Sequence, residues 1–231
     1  GIGHPNCKII IFMGKTFSDT ARHQQHSMVL VPIDTPGVKI ERMLAAFGEY
    51  DEPYGHGEVT FKNVRVALSH MVLGAGRGFE IAQGRLGPGR IHHCMRCIGG
   101  AERALELLVE RAKSRVAFGQ PIINLGANQE KIADLRISID QARLLTLFAA
   151  WKIDQYGASK AMMEISQIKV VAPNVLQNVV DEAIQIFGGM GVSHEVPLTA
   201  FYTIARCIRI ADGPDAVHRS LIAKLELKKY K

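Results

Sequence analysis

The residues best suited to chemistry lie near the end of the chain, in "RIADGPDAVHRS", Arg209 to Ser220. Two helix-patterned stretches meet there. Asp212 stands at the break, followed by Gly213, Pro214 and a second acid, Asp215. A carboxylate at such a point has two readings. It can cap the next helix, with Asp212 or Gly213 as the capping residue and Pro214 in the first turn. It can also take a proton, if the loop holds it against an acidic C–H bond. The two are compatible, because both want the carboxylate at a helix start. Asp215 reads as a first-turn partner of the helix dipole.

Three more segments combine charge, amide or aromatic groups with glycine: "GRLGPGRI" with Arg90, "RVAFGQPI" with Arg115 and Phe118, and "QIFGGMG" with Gln185, Ile186, Gly188 and Gly189. Taken singly, each reads as a corner between helices. Arg115 alone would be a C-terminal charge complementing a helix dipole, and Gln185 a surface amide. Neither GxGxxG after a strand nor GxxxxGK occurs, so the usual phosphate cradles are missing. "HHCMRC" places Cys94 and Cys97 at CxxC spacing beside His92 and His93. A structural zinc site needs a second ligand pair, and none stands at suitable spacing. Cys94 also falls in phase with an apolar helix face. The segment therefore reads as core helix, with no metal.

The elements that must position these residues fit a chain of 231 residues, 47% hydrophobic and 22% charged, which is long enough for a sizeable core. No apolar run reaches the roughly 18 to 20 residues of a membrane span. The net charge of +6 would suit an anionic partner, but no long Lys/Arg run supports nucleic acid. Four cysteines, Cys7, Cys94, Cys97 and Cys207, make no disulfide framework in a chain this long. The opening "GIGHPNCKIIIFMG" is neither signal peptide nor presequence and reads as the middle of a domain.

The first third patterns as β, with strands expected in "CKIIIFMG", "HSMVLVPI" and "GEVTFKNVRV", a turn at "DTPG" and a loop at "GEYDEPYGHG". From Gly76 the period turns helical. One apolar stripe runs through Met95, Ile98, Ala101, Leu105, Leu108 and Ala112. A second takes Ile132, Leu135, Ile139, Ala142 and Leu145. A third takes Ile165, Ile168, Ala172, Val175, Val179, Ala183 and Ile186, with a kink or break expected at Pro173. "FGGMG" ends that helix, a fourth spans about Pro197 to Ile210, and a fifth follows "DGPD". The fold class is α+β: residues 1–75 belong to a β domain and 76–231 to an antiparallel helical bundle.

In this order and spacing the segments resemble the acyl-CoA dehydrogenase family. "FKNVRVALSHMVLGAGRGFEIA" resembles that family's passage from its middle β domain into its C-terminal helical domain. "RVAFGQPI" resembles its RxxFGxP segment, "AIQIFGGMGVSHEVPLTAFYTIAR" its next signature, and "IADGPDAVHRSLIAKLEL" its catalytic loop and final helix. "QGRLGPGRIHHCMR" and "ADGPD" look most like the branch sometimes fused to a kinase-like domain. On this resemblance the chain is the C-terminal part of a longer protein, without the N-terminal helical domain and the first portion of the β domain.

The resemblance implies removal of the α proton of an acyl-CoA thioester and hydride transfer from the β carbon to FAD, giving a trans-2-enoyl-CoA. It puts the base at Asp212, where many relatives have Glu, with Arg90 and Gly213 as substrate contacts. It assigns the FAD diphosphate and adenosine to Arg115, Phe118, Gln185, Ile186, Gly188 and Gly189, reaching the flavin of a neighbouring subunit, so a homodimer or dimer of dimers is implied. Departures are Gly87 and Pro88, Gly126, and Pro214 with Ala216, where relatives carry an acid, a glutamine and Thr- and Gln-like flavin contacts. An electron-transferring flavoprotein is the implied acceptor, with no nucleic-acid partner and no integral membrane segment. The implied place is the mitochondrial matrix or peroxisome in a eukaryote and the cytoplasm in a bacterium. An acyl-CoA oxidase and a non-catalytic helical assembly module are the alternatives.

Overall fold

The computed structural model describes residues 1–230, which fall into two compact units, Gly1–Arg85 and Leu86 onward. In the first unit, β1 (Ile9–Lys15) pairs antiparallel with β2 (His26–Pro32), Ile9 facing Pro32 and Lys15 facing His26. β3 (Val38–Leu44) pairs antiparallel with β4 (His56–Phe61), Val38 facing Phe61. β4 uses only the first part of "GEVTFKNVRV". β3 is a strand that the sequence reading passed over. Its alternation is clear from Val38 to Glu41, but the register shifts between Ile40 and Arg42, which throws Met43 and Leu44 out of phase.

The second unit is helical: most of α1 (Gly78–Ser114), then α2 (Asn128–Tyr156), α3 (Met162–Phe187), α4 (Leu198–Ile208) and α5 (Asp215–Leu227). Between α1 and α2 a small hairpin pairs β5 (Val116–Ala117) with β6 (Gln120–Pro121). The expected stripes are buried at Ile98, Ala101, Leu105, Leu108 and Ala112 of α1, at Leu135, Ile139 and Ala142 of α2, and at Ile165, Ile168, Ala172, Val179 and Ala183 of α3. Ile132, Leu145, Val175 and Ile186 are half-buried, and Met95 is exposed at 43%; Cys94 and Cys97 take the inward positions on that turn.

α3 is the central helix and packs on α2, α4 and α5. Its antiparallel pairing with α2 is marked at both ends, by Lys131–Glu182 at 2.7 Å and Lys152–Glu164 at 3.0 Å. On α1, Glu102 accepts two bonds of 2.7 Å from Arg136 of α2 and a third from Arg143. Of the kink or break expected at Pro173, the break does not occur: α3 runs through it as one helix. Pro173 is fully buried, and packing on three helices outweighs the roughly 3 kcal/mol that a mid-helix proline costs.

Cys94 and Cys97 are free, fully buried thiols in the apolar core. Burial pushes both thiols up, that of Cys97 to about 11, which suits a core residue. Among the described residues no group of three or more His, Cys, Asp or Glu is placed to hold a metal ion, and no helix is long and apolar enough to cross a membrane.

Candidate active site

α4 ends where the N–H groups of Ile210 and Ala211 both turn back to the Cys207 carbonyl, at 3.0 and 2.9 Å. The next residue, Asp212, has φ 56°, in the left-handed region that non-glycine residues seldom occupy. Gly213 follows at φ 106°, and a Cβ there would stand 2.8 Å from His218 Nε2, so the position requires glycine. These two residues swing the loop so that the α5 cap falls on Pro214, whose backbone is extended. No side chain caps α5. The capping role considered for Asp212 is therefore corrected: its carboxylate points elsewhere.

That carboxylate meets His93 of α1, with Nε2 3.1 Å from Oδ2. Among the described residues nothing donates to Oδ1. The Asp212 main-chain oxygen is held more firmly, accepting from Arg90 Nε at 3.1 Å and from a second Arg90 nitrogen at 2.9 Å, with His218 Nε2 at 3.3 Å. Beneath the loop, the fully buried Lys169 of α3 donates to the carbonyls of Ile208, at 2.5 Å, and Gly213, at 3.3 Å. Among the described residues the Gly213 N–H donates to no main-chain acceptor.

Burial governs the electrostatics. It holds His93 below the ordinary imidazole value, with Arg96, His92 and Lys169 adding to the effect and Asp212 opposing it. It depresses the Lys169 ammonium in the same way, although Cys94, Asp215 and Asp212 pull against it. Asp215 turns out to be more than a dipole partner. It is buried at the first residue of α5 and bonds to Arg209 Nε at 3.0 Å and Asn174 at 3.1 Å. Burial alone would raise its carboxyl, but the bonds from Asn174 and Arg209 outweigh that and hold it low.

The sequence-predicted residues form two groups. Arg90, Asp212 and Gly213 come together as above. The second group sits at the C-terminal ends of α1 and α3. Arg115, exposed, closes α1 through its N–H to Arg111 O at 2.9 Å, and its own carbonyl accepts from Ile122 at 2.9 Å. Phe118 is 93% exposed at the hairpin tip. Gln185 is exposed and Ile186 half-buried in the last turn of α3; Gly188 ends the helix at φ 65° and ψ −140°, followed by Gly189. A Cβ on either glycine would meet nothing within 4 Å. Arg111 lies 5.6 Å over the Phe187 ring, which joins the two helix ends. Among the described residues no hydrogen bond or ion pair links this group to Asp212.

Sequence reasoning missed Lys169, His218 and the role of His93. Lys169 had a signal: it lies four residues after Ile165 and three before Ala172, on the buried face, where a lysine needs buried acceptors. His93 was visible only as a candidate metal ligand, because its partner lies on a distant loop.

The family profile described as "Acyl-CoA dehydrogenase, C-terminal domain" matches residues 76–227. Acyl-CoA dehydrogenase family member 11 of Gallus gallus is 55% identical over 229 residues, covering 98% of this chain and 30% of that protein. A Mycobacterium abscessus structure described as an acyl-CoA dehydrogenase superposes with a TM-score of 0.98 at 57% identity, over 100% of this chain and 57% of that one. A structure of PigA with FAD and proline gives a TM-score of 0.85 at 25% identity, over 97% of this chain and 57% of that one. The chain spans between 21% and 56% of the length of the curated relatives it matches. With the profile covering most of its length, this chain belongs to the acyl-CoA dehydrogenase family.

Proposed function

We propose that the protein containing this chain dehydrogenates an acyl-CoA thioester to the trans-2-enoyl-CoA, with Asp212 as the base that removes the α proton. The observation that carries this reading is the carboxylate itself: its main-chain oxygen is fixed by Arg90 and His218, while among the described residues nothing donates to Oδ1, which is open to accept a proton. Aspartate is one methylene shorter than glutamate, so the loop must sit closer to the substrate or the ligand must enter more deeply. The Gly213 N–H, which meets no main-chain acceptor among the described residues, is the donor assigned to the thioester end of the ligand. Arg90 acts on the base from behind, through its peptide.

The second group of residues fits FAD. Arg115 offers an exposed fork of donors for phosphate oxygens, Phe118 an exposed apolar ring, and Gly188 and Gly189 an open backbone that a dinucleotide can approach closely. Gln185 and Ile186 complete the edge. When bound, FAD supplies the hydride acceptor for the β carbon. The separation of these residues from Asp212 supports their serving the flavin of a second subunit, hence a homodimer at least. Electrons then pass to an electron-transferring flavoprotein.

Anaerobic titration of the full-length protein with a panel of acyl-CoAs tests this directly. The flavin absorbance should bleach with at least one of them. Unchanged absorbance across the panel, in a protein that binds FAD, would contradict the reading.

A further inference from the structure

The two ring nitrogens of His93 have different surroundings. Nε2 lies 3.1 Å from Asp212 Oδ2, whereas Nδ1 is buried and, among the described residues, has no hydrogen-bond partner. A doubly protonated ring would bury an unsatisfied N–H at Nδ1. The Nδ1–H tautomer would do the same and would also turn a lone pair toward the carboxylate. The Nε2–H tautomer avoids both, donating to Oδ2 and leaving only an unpaired acceptor inside. The charged groups facing the ring agree. Arg96 and His92 share its helix, Lys169 faces it from α3, and among the described residues Asp212 is the single acid acting on it. Burial, joined by Arg96, His92 and Lys169, holds the ring neutral near pH 7 against the pull of Asp212.

A carboxylate tethered through one oxygen and free at the other takes up a proton in one direction only. We infer that His93, as a neutral Nε2–H donor, is the positioning residue for Asp212: it holds Oδ2 so that Oδ1 receives the substrate proton. This rests on the reading of Asp212 as the base. His93 itself touches no substrate and changes no protonation state during the step. The proton moves from the α carbon to Oδ1, and the contact of Nε2 with Oδ2 persists. A hydrogen bond to an ionised group carries about 1.5–3 kcal/mol. Its loss therefore corresponds to roughly 10- to 100-fold in rate.

Two measurements on the full-length flavoprotein test it. The first needs no turnover: imidazole ¹⁵N chemical shifts of wild-type protein at pH 7.5, with His93 assigned by comparison with His93→Gln, should show a protonated Nε2 and a bare Nδ1. A protonated Nδ1 overturns the inference. The second compares His93→Phe, which removes the donor, with His93→Gln, whose amide nitrogen reaches the same place. His93→Phe should lower kcat about 10- to 100-fold while KM stays within about twofold, and His93→Gln should recover most of the loss. A wild-type kcat for His93→Phe, or glutamine faring no better than phenylalanine, overturns the inference. Asp212→Asn in the same assay keeps the two claims apart. If it retains the full rate, the base assignment has failed; if it loses the rate while His93→Phe does not, only the role of His93 has failed.

Discussion

Arg90 holds the main-chain oxygen of Asp212 with two hydrogen bonds from one guanidinium, tying the start of the long α1 to the loop before α5. A planar fork can do this and an ammonium cannot. Arg90→Lys keeps the charge but makes one bond at best. The account predicts a fall in kcat of roughly tenfold with FAD content unchanged, since part of a 1.5–3 kcal/mol interaction is lost where the base is aimed. Steady-state kinetics at saturating acyl-CoA would show it, and an unchanged kcat would count against it.

His218 is buried and sits between two partners, with Nδ1 3.3 Å from Ser166 Oγ and Nε2 3.3 Å from Asp212 O. Burial depresses its basicity, helped by Arg90 and Lys169 and opposed by the Asp212 carbonyl and Asp215. A histidine whose folded value lies below its unfolded value of about 6.5 contributes stability that is present above that pH and is lost as pH falls through the folded value. His218→Gln should therefore lose less stability than wild type between pH 7 and 5, as read by urea denaturation. Equal pH dependence in the two proteins would contradict this.

The Glu102 cluster predicts an effect in a lower window. The two Arg136 bonds, followed by the one from Arg143, hold the Glu102 carboxyl at about 2 despite partial burial. Its contribution should be full above about pH 4.5, shrink as pH falls, and vanish below about 2. The cluster is about one-third exposed, so solvent screens it and the effect of Glu102→Gln should be modest, on the order of 1 kcal/mol at pH 7. Denaturation curves of the two proteins should converge as acid is added. A constant offset at every pH would sink the argument.

Arg115 tests the cofactor assignment. Among the described residues its side chain joins no ion pair or hydrogen bond, and it is exposed, so Arg115→Ala should leave helical circular dichroism unchanged. In full-length protein it should weaken FAD retention, read as flavin-to-protein ratio after gel filtration. Full FAD occupancy would rule out the phosphate role.

What the sequence revealed follows from range. Helical stripes at Ile139 or Val179 were legible because one side of a helix reports its own burial through local spacing. Cys94 and Cys97 were legible as core for the same reason. β3 was hidden by the shift at Ile40 and Arg42, and the continuity of α3 through Pro173 was hidden because the packing that enforces it comes from three other helices. The site divides likewise. The acid in "ADGPD" stood out by itself, but its capping role disappeared once Asp212 and Gly213 adopted positive φ. Its actual partners, Arg90, His93 and His218, come from α1 and α5, while Lys169 of α3 holds the neighbouring Gly213, and no spacing rule connects them.

The central claim is that Asp212 removes the α proton, and rapid mixing of the full-length Asp212→Asn flavoprotein with acyl-CoA tests it most directly. Asparagine preserves the backbone turn and can still meet His93 through its side-chain oxygen, so FAD and acyl-CoA binding should survive. Asp212→Glu, assayed alongside, keeps a carboxylate and should retain part of the rate. The account predicts that flavin reduction by Asp212→Asn falls by at least the roughly 10²–10⁴-fold typical of a lost general base. Flavin reduction near the wild-type rate in Asp212→Asn would contradict it.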